Sequence, residues 1–171
     1  MHRSYWRRGA IRPLPAAAVS DSVHCSRAVG TLPIRVAIVA DKGGVVGVYI
    51  MPFLTLDSQP KGSDLIAHIE HVARVAGEDH VGIGSDNGVL PIEITEESRK
   101  RNREWANQRI KAGIAAPGEG LDVFPILADY NSVDRYWRLA NDLAKRGWSE
   151  SRLIKLFGGN FLRVYRDAWG G

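Results

Sequence analysis

Residues 45–50 read Val-Val-Gly-Val-Tyr-Ile, a run without charge and rich in β-branched side chains. A strand with one face in water alternates apolar and polar residues. An uninterrupted apolar run instead suits a strand covered on both faces, which points to a parallel sheet beneath helices. A second run, Val-Gly-Ile-Gly-Ser, follows at 81–85. Between the two, Pro52 stops ladder continuation in a loop over 51–59. Leu65, Ile66, Ile69, Val72, Val75 and Ala76 then recur at helical spacing over 64–76, with Ser63 placed to cap the helix and Gly77 to end it. The order strand, helix, strand predicts a βαβ unit, which closes right-handed in nearly all cases. A short apolar helix end over 35–41, closed by Lys42-Gly43-Gly44, precedes it.

Downstream, Thr95 caps a polar, exposed helix over 96–112, and 113–131 form a long excursion containing Gly and Pro. Three helices are expected to follow: 132–146 ended by Gly147, 149–157 ended by Gly158-Gly159, and 161–169 capped by Asn160. Trp105, Trp137, Trp148 and Trp169 lie in or beside these helices at core-like spacing and are assigned to packing. Residues 1–35 carry Pro13, Pro15 and Pro33 and show neither period, so they read as a disordered leader before a body at 36–171.

The net charge of +4 belongs to that leader. The first 40 residues hold six arginines and one acid, and the rest of the chain is nearly balanced. A folded basic patch is therefore unsupported, and no nucleic-acid partner is expected. The single Cys25 excludes an intramolecular disulfide framework and a thiolate zinc cluster within the chain. No run approaches the roughly 20 apolar residues of a membrane span. A soluble, cytoplasmic protein is expected.

Functional groups in parallel α/β folds gather at the C-terminal ends of strands. Asp86 follows the second run there, where a carboxylate can orient water, exchange a proton or cap the next turn. His68 and His71, in His-Ile-Glu-His, have metal-like spacing, but their helix connects two strands and its polar side is expected in solvent. His80, before the second strand, lies at the opposite end and is expected to be structural. Gly82–Gly88 lacks the spacing of a nucleotide cradle.

The succession DKGGVVGVYIMPF, HIEHVARVAGEDHVGIGSD and RGWSESRLIKLFGGNFLRVYRDAW resembles the C-terminal part of the membrane dipeptidase (renal-dipeptidase-like, peptidase M19) family over about residues 40–170. The resemblance implies an α/β fold: the C-terminal part of a (β/α)8 TIM barrel of the amidohydrolase, or metallo-dependent hydrolase, type. Such barrels take about 250 residues, so this part is incomplete. It further implies hydrolysis of dipeptides by a hydroxide bridging two zinc ions, with runs 45–50 and 81–85 as the last two strands. Asp86 matches the family's acid at the end of the final strand, and Tyr49, ending the preceding strand, is placed to bind substrate. The family's His-x-Asp pair and bridging glutamate have no counterpart, and His24, in SVHCSRAV, faintly matches a later histidine ligand. The family's Asp-Phe-Asp-Gly is here Asp86-Asn87-Gly88.

Two expectations follow. One is a truncated zinc metallodipeptidase-like protein that does not bind the zinc pair or turn over dipeptides alone. The other is a non-catalytic α/β module that self-associates, or joins a complementing N-terminal chain, through an incomplete sheet.

Overall fold

The computed structural model describes residues 32–56, 58–85 and 87–170. Helix α1 (Leu32–Asp41) closes as expected: the Gly43 N–H donates to the Ala40 carbonyl and the Gly44 N–H to that of Val39, with Gly43 at φ +76°. Only glycine adopts that left-handed turn without strain.

Strands β1 (Val46–Tyr49) and β2 (Val81–Gly84) pair in parallel, Val46 opposite Val81 and Tyr49 opposite Gly84. Helix α2 (Gly62–Ala76) connects them. The two faces of this sheet differ in kind. Val46, Val48 and Val81 are buried in one core with Leu65, Ile69 and Val72 of α2. Each such aliphatic side chain contributes roughly 1.5–3 kcal/mol by leaving water. The opposite face is nearly bare of side chains, because Gly47, Gly82 and Gly84 lie on it. Phe161 packs directly on Gly47 and Gly82, and the Tyr49 ring lies across Gly84.

Helix α2 is capped differently from the expectation. Its N-cap is Lys61, and Ser63 sits inside the first turn. The Lys61 N–H donates to the Asp64 carboxylate at 2.8 Å, and the Gly62 N–H to the distant Asp129 carboxylate at 2.7 Å. Two carboxylates thus meet the positive end of the helix dipole. Gly62 is required here, since a Cβ would come within 3.0 Å of three Tyr130 ring atoms.

Helix α3 (Glu96–Lys111) opens with the expected cap, Thr95 and Ser98 exchanging reciprocal bonds of 3.1 and 2.8 Å. Residues 113–131 are tied down. The Gln59 amide bonds the backbone of Phe124 and Ile126, and Leu127 is buried in the core. Helix α4 (Arg135–Lys145) begins three residues later than expected. Helix α5 (Glu150–Ile154) extends into one further turn over 155–159 that breaks at the glycine pair, as expected: Gly158 takes a non-helical φ of +152°, and α6 (Asn160–Trp169) starts beyond the kink. Asn160 is the first residue of α6 and not its cap. Its buried amide donates to the carbonyls of Glu78 and Val81 at 2.8 and 2.7 Å, fastening α6 to the base of β2.

Of the tryptophans assigned to packing, only Trp148 is buried; Trp105, Trp137 and Trp169 are 44%, 75% and 75% exposed. The buried stripe of α4 runs through Leu139 and Leu143, which leaves Trp137 on the outer side. No described helix is long and apolar enough to cross a membrane.

Candidate functional site

The C-terminal ends of β1 and β2 are bound to each other by one side-chain amide and a backbone bond from the Ile50 N–H to the Gly84 carbonyl at 3.2 Å. Asn87 donates from Nδ2 to the Ile50 carbonyl at 2.7 Å, and its own N–H reaches the Ser85 hydroxyl at 3.1 Å. The segment that follows is pinned twice more. The Asn131 amide both accepts from and donates to the Ile92 backbone, at 2.9 and 2.8 Å. The Arg135 guanidinium, 6% exposed, donates to the carbonyls of Ser132, Gly88 and Val89 at 2.9, 3.1 and 3.0 Å. Residues 87–92 are therefore tied down at several points, at the end of the sheet where ligands bind in parallel α/β folds.

Beside these strand ends lies an open groove of about 410 Å³. Met51, Ile92, Trp105, Phe124 and Pro125 supply its apolar wall, and Asn102 and Arg101 stand among its polar groups. Arg101 is paired with Glu97 one turn earlier on α3. Asn102 donates to the carbonyls of Leu121 and Val123, both at 3.1 Å, so the 121–125 wall is fixed to α3.

Of the residues expected at the site, Asp86 and His24 lie outside the described residues. Tyr49 ends β1 as expected, with its ring spent on Gly84. The His-Ile-Glu-His pair diverges. His68 is buried rather than solvent-facing, and its Nε2 donates to the Leu54 carbonyl at 3.1 Å. His71 lies beside Arg74; partial burial, then the Arg74 and His68 charges, hold its imidazole below its usual range. His80 fastens the base of the sheet through Nδ1 and the Gly44 carbonyl at 2.7 Å. Among the described residues, no three His, Cys, Asp or Glu side chains converge as a metal site. These donors do not fit the zinc pair that the family resemblance implies.

A second polar patch lies away from the strand ends. The Tyr130 hydroxyl donates to Asp142 at 2.8 Å; burial and this carboxylate push the phenol far up, while Lys145 and Tyr130 hold the Asp142 carboxyl below its usual range.

The groove is hidden in the sequence, where α3 reads as a solvated face and Trp105 as core. One signal does point to it. Trp105 stands in a helix whose only other apolar residues are Ala106 and Ile110, so no apolar stripe exists for it to join. Arg135 and Asn131 carry no signal, since their partners include carbonyls 39 to 47 residues away.

Comparison with known proteins agrees with the family resemblance. The model of the membrane dipeptidase family (peptidase family M19) matches residues 35–101. An uncharacterized Klebsiella pneumoniae protein of the pqqA 5′ region is 26% identical over 98% of this chain and 52% of its own length. Dipeptidase ataJ of Aspergillus terreus is 32% identical over 65% of this chain and 19% of its own. The chain thus spans about half of the first relative and a fifth of the second. Among solved structures, an amidohydrolase from Pseudomonas aeruginosa superposes with a TM-score of 0.59 at 28% identity, over 81% of this chain and 40% of that one. A metallopeptidase from Rhodobacter sphaeroides, solved with a phosphinate mimic of the dipeptide L-Ala-D-Ala, gives 0.55 at 20% identity, over 80% of this chain and 31% of its own, a likeness of fold.

Proposed function

We propose that this chain, whose residues 35–101 match the membrane dipeptidase (peptidase M19) family, is a dipeptidase-like protein in which residues 36–171 form the C-terminal part of the family's barrel. β1 and β2 are then its last two strands, and their C-terminal ends form one wall of the site for a dipeptide. The observation that carries this reading is the parallel pair itself, joined by α2 and tied at its C-terminal ends by Asn87 inside the matched segment. In this reading Asp86 is the acid that takes and returns the proton of the attacking water, and Tyr49 borders the substrate. A carboxylate suits that work wherever it comes within hydrogen-bond reach of the water whose proton it takes.

The family's zinc chemistry has no footing among the described residues, whose donors do not make a metal site. We accordingly propose that the chain alone hydrolyses no dipeptide. The test is zinc titration of the purified full chain together with a dipeptide hydrolysis assay. No turnover above buffer is expected; two zinc ions bound per chain with turnover would overturn the proposal.

A second reading rests on the sheet. Among the described residues β1 and β2 pair only with each other, which leaves backbone edges free to pair with another chain. Size-exclusion chromatography with light scattering is expected to show self-association, and a monomer at high concentration would refute it.

A further inference from the structure

We propose that the groove between α3 and the C-terminal ends of β1 and β2 is the pocket that receives an apolar side chain of the peptide substrate, with Trp105 as its platform. This rests on the dipeptidase reading for the substrate class. The groove itself stands on its own construction.

Trp105 is half-exposed and yet held in place. The Arg109 guanidinium lies over its ring at 4.9 Å from the centroid. Arg109 is in turn gripped by both oxygens of Glu119, at 2.7 and 3.0 Å, and that carboxylate is only 2% exposed. A cation fixed over one side of an indole restrains the ring and leaves the other side available for contact. Phe124, across the groove, is covered in the same manner by Arg99 at 6.0 Å. Asn102 and Gln59 bind the backbone on either side of Phe124, and Asn131 binds that of Ile92. The walls are thus built before any ligand arrives, which lowers the ordering cost of binding.

The occupant follows from charge. Arg101, the cation in the groove, is already paired with Glu97. The remaining wall from Met51, Ile92, Trp105, Phe124 and Pro125 is apolar. A neutral aliphatic or aromatic side chain fits such a lining, and a carboxylate finds no unpaired cation among the described lining residues. The position beside Ile50 and Asn87 puts that side chain next to the strand ends, where the peptide backbone would lie.

The test uses the full 15N-labelled chain, titrated with N-acetyl-phenylalaninamide and, separately, with N-acetyl-aspartate amide. The Trp105 indole resonance is assigned through Trp105→Phe. Saturable shifts of the Trp105 indole and Asn102 amide are expected with the phenylalanyl probe at millimolar concentration, and none with the aspartyl probe. Trp105→Ala is expected to weaken binding about 3- to 10-fold, the range of an aromatic contact. Lys145→Ala, in the polar patch away from the groove, is expected to leave it within about twofold, the scale of an exposed ion pair. No saturable shift in the wild-type chain would overturn the proposal. So would loss of binding in Arg101→Ala while Trp105→Ala retains it, since the groove would then hold an anion. These readouts need neither metal nor turnover, so failure of the pocket is distinguishable from failure of the dipeptidase reading in the hydrolysis assay.

Discussion

Replacing Arg135 by methionine tests whether a buried cation held by carbonyls stabilises this protein. Its guanidinium gives three charge-assisted hydrogen bonds, to Ser132, Gly88 and Val89. Bonds of that type contribute roughly 1.5–3 kcal/mol each, net of the water bonds they replace. Two effects reduce the sum. Gly88 and Val89 are exposed, so their carbonyls regain water once the guanidinium is gone. Methionine also removes the desolvation cost of the buried cation, which is several kcal/mol. The net expectation is a loss of about 1–2 kcal/mol. With a urea slope of about 2 kcal/mol/M, the unfolding midpoint falls by roughly 0.5–1 M at unchanged slope. Hydrogen exchange at the Ile92 amide rises, because the 88–92 segment loses one of its two clamps and keeps only Asn131. Lysine at the same position falls between the two, since it keeps the charge but not the planar fork. A methionine variant as stable as the wild type, with unchanged exchange in this loop, would show that the buried charge costs as much as its bonds return.

Two further outcomes are expected. Gly82→Ala would set a Cβ within 3.0 Å of three Phe161 ring atoms and destabilise the chain by about 1–3 kcal/mol in urea unfolding; Phe161→Leu in the same chain is expected to recover part of it. The hydrogen bond from Lys155 holds the Asp79 carboxyl below its usual range, so its stabilisation is full above about pH 4 and is lost as pH falls further. Lys155 is raised by Asp79 and Glu78, so the same contacts are also lost at alkaline pH as it deprotonates. Lys155→Met is expected to flatten both limbs of a stability–pH curve, and an unchanged curve would contradict the network.

The βαβ unit is legible in the sequence because burial imposes it locally. Val45, Val46, Val48 and Ile50 are all buried, and a run of that kind leaves few alternatives to a covered strand. The glycine turns at 43, 77 and 147 are equally visible, each at positive φ. Capping is legible at Thr95, whose residue type and near partner both signal it. Thr95 and Ser98 are three residues apart, whereas α2 takes one of its caps from Asp129, 67 residues from Gly62. The break at Gly158-Gly159 is legible in the same way as those glycine turns: Gly158 takes a φ of +152°, which separates α5 from α6. Asp86 is singled out by its sequence position and the family resemblance. The neighbouring groove is not, because Trp105 and Phe124 meet only when 121–125 fold back on α3.

The grip of α6 on the base of the sheet has a temporal side. Asn160 holds the Val81 carbonyl across 79 residues, and Arg163 holds those of Gly43 and Asp79 across 120 and 84. Phe161 fills the space over Gly47 and Gly82. During synthesis, β1, α2 and β2 emerge long before the residues that cover them, and bare glycine strands offer little for an early contact to hold. The nascent sheet is thus exposed to other chains until residues 158–163 have cleared the ribosome. A frameshift or proteolytic cut anywhere between β2 and Asn160 therefore uncovers a sheet made long before it. The order in which this chain is made leaves β1 and β2 dependent on the late-made α6.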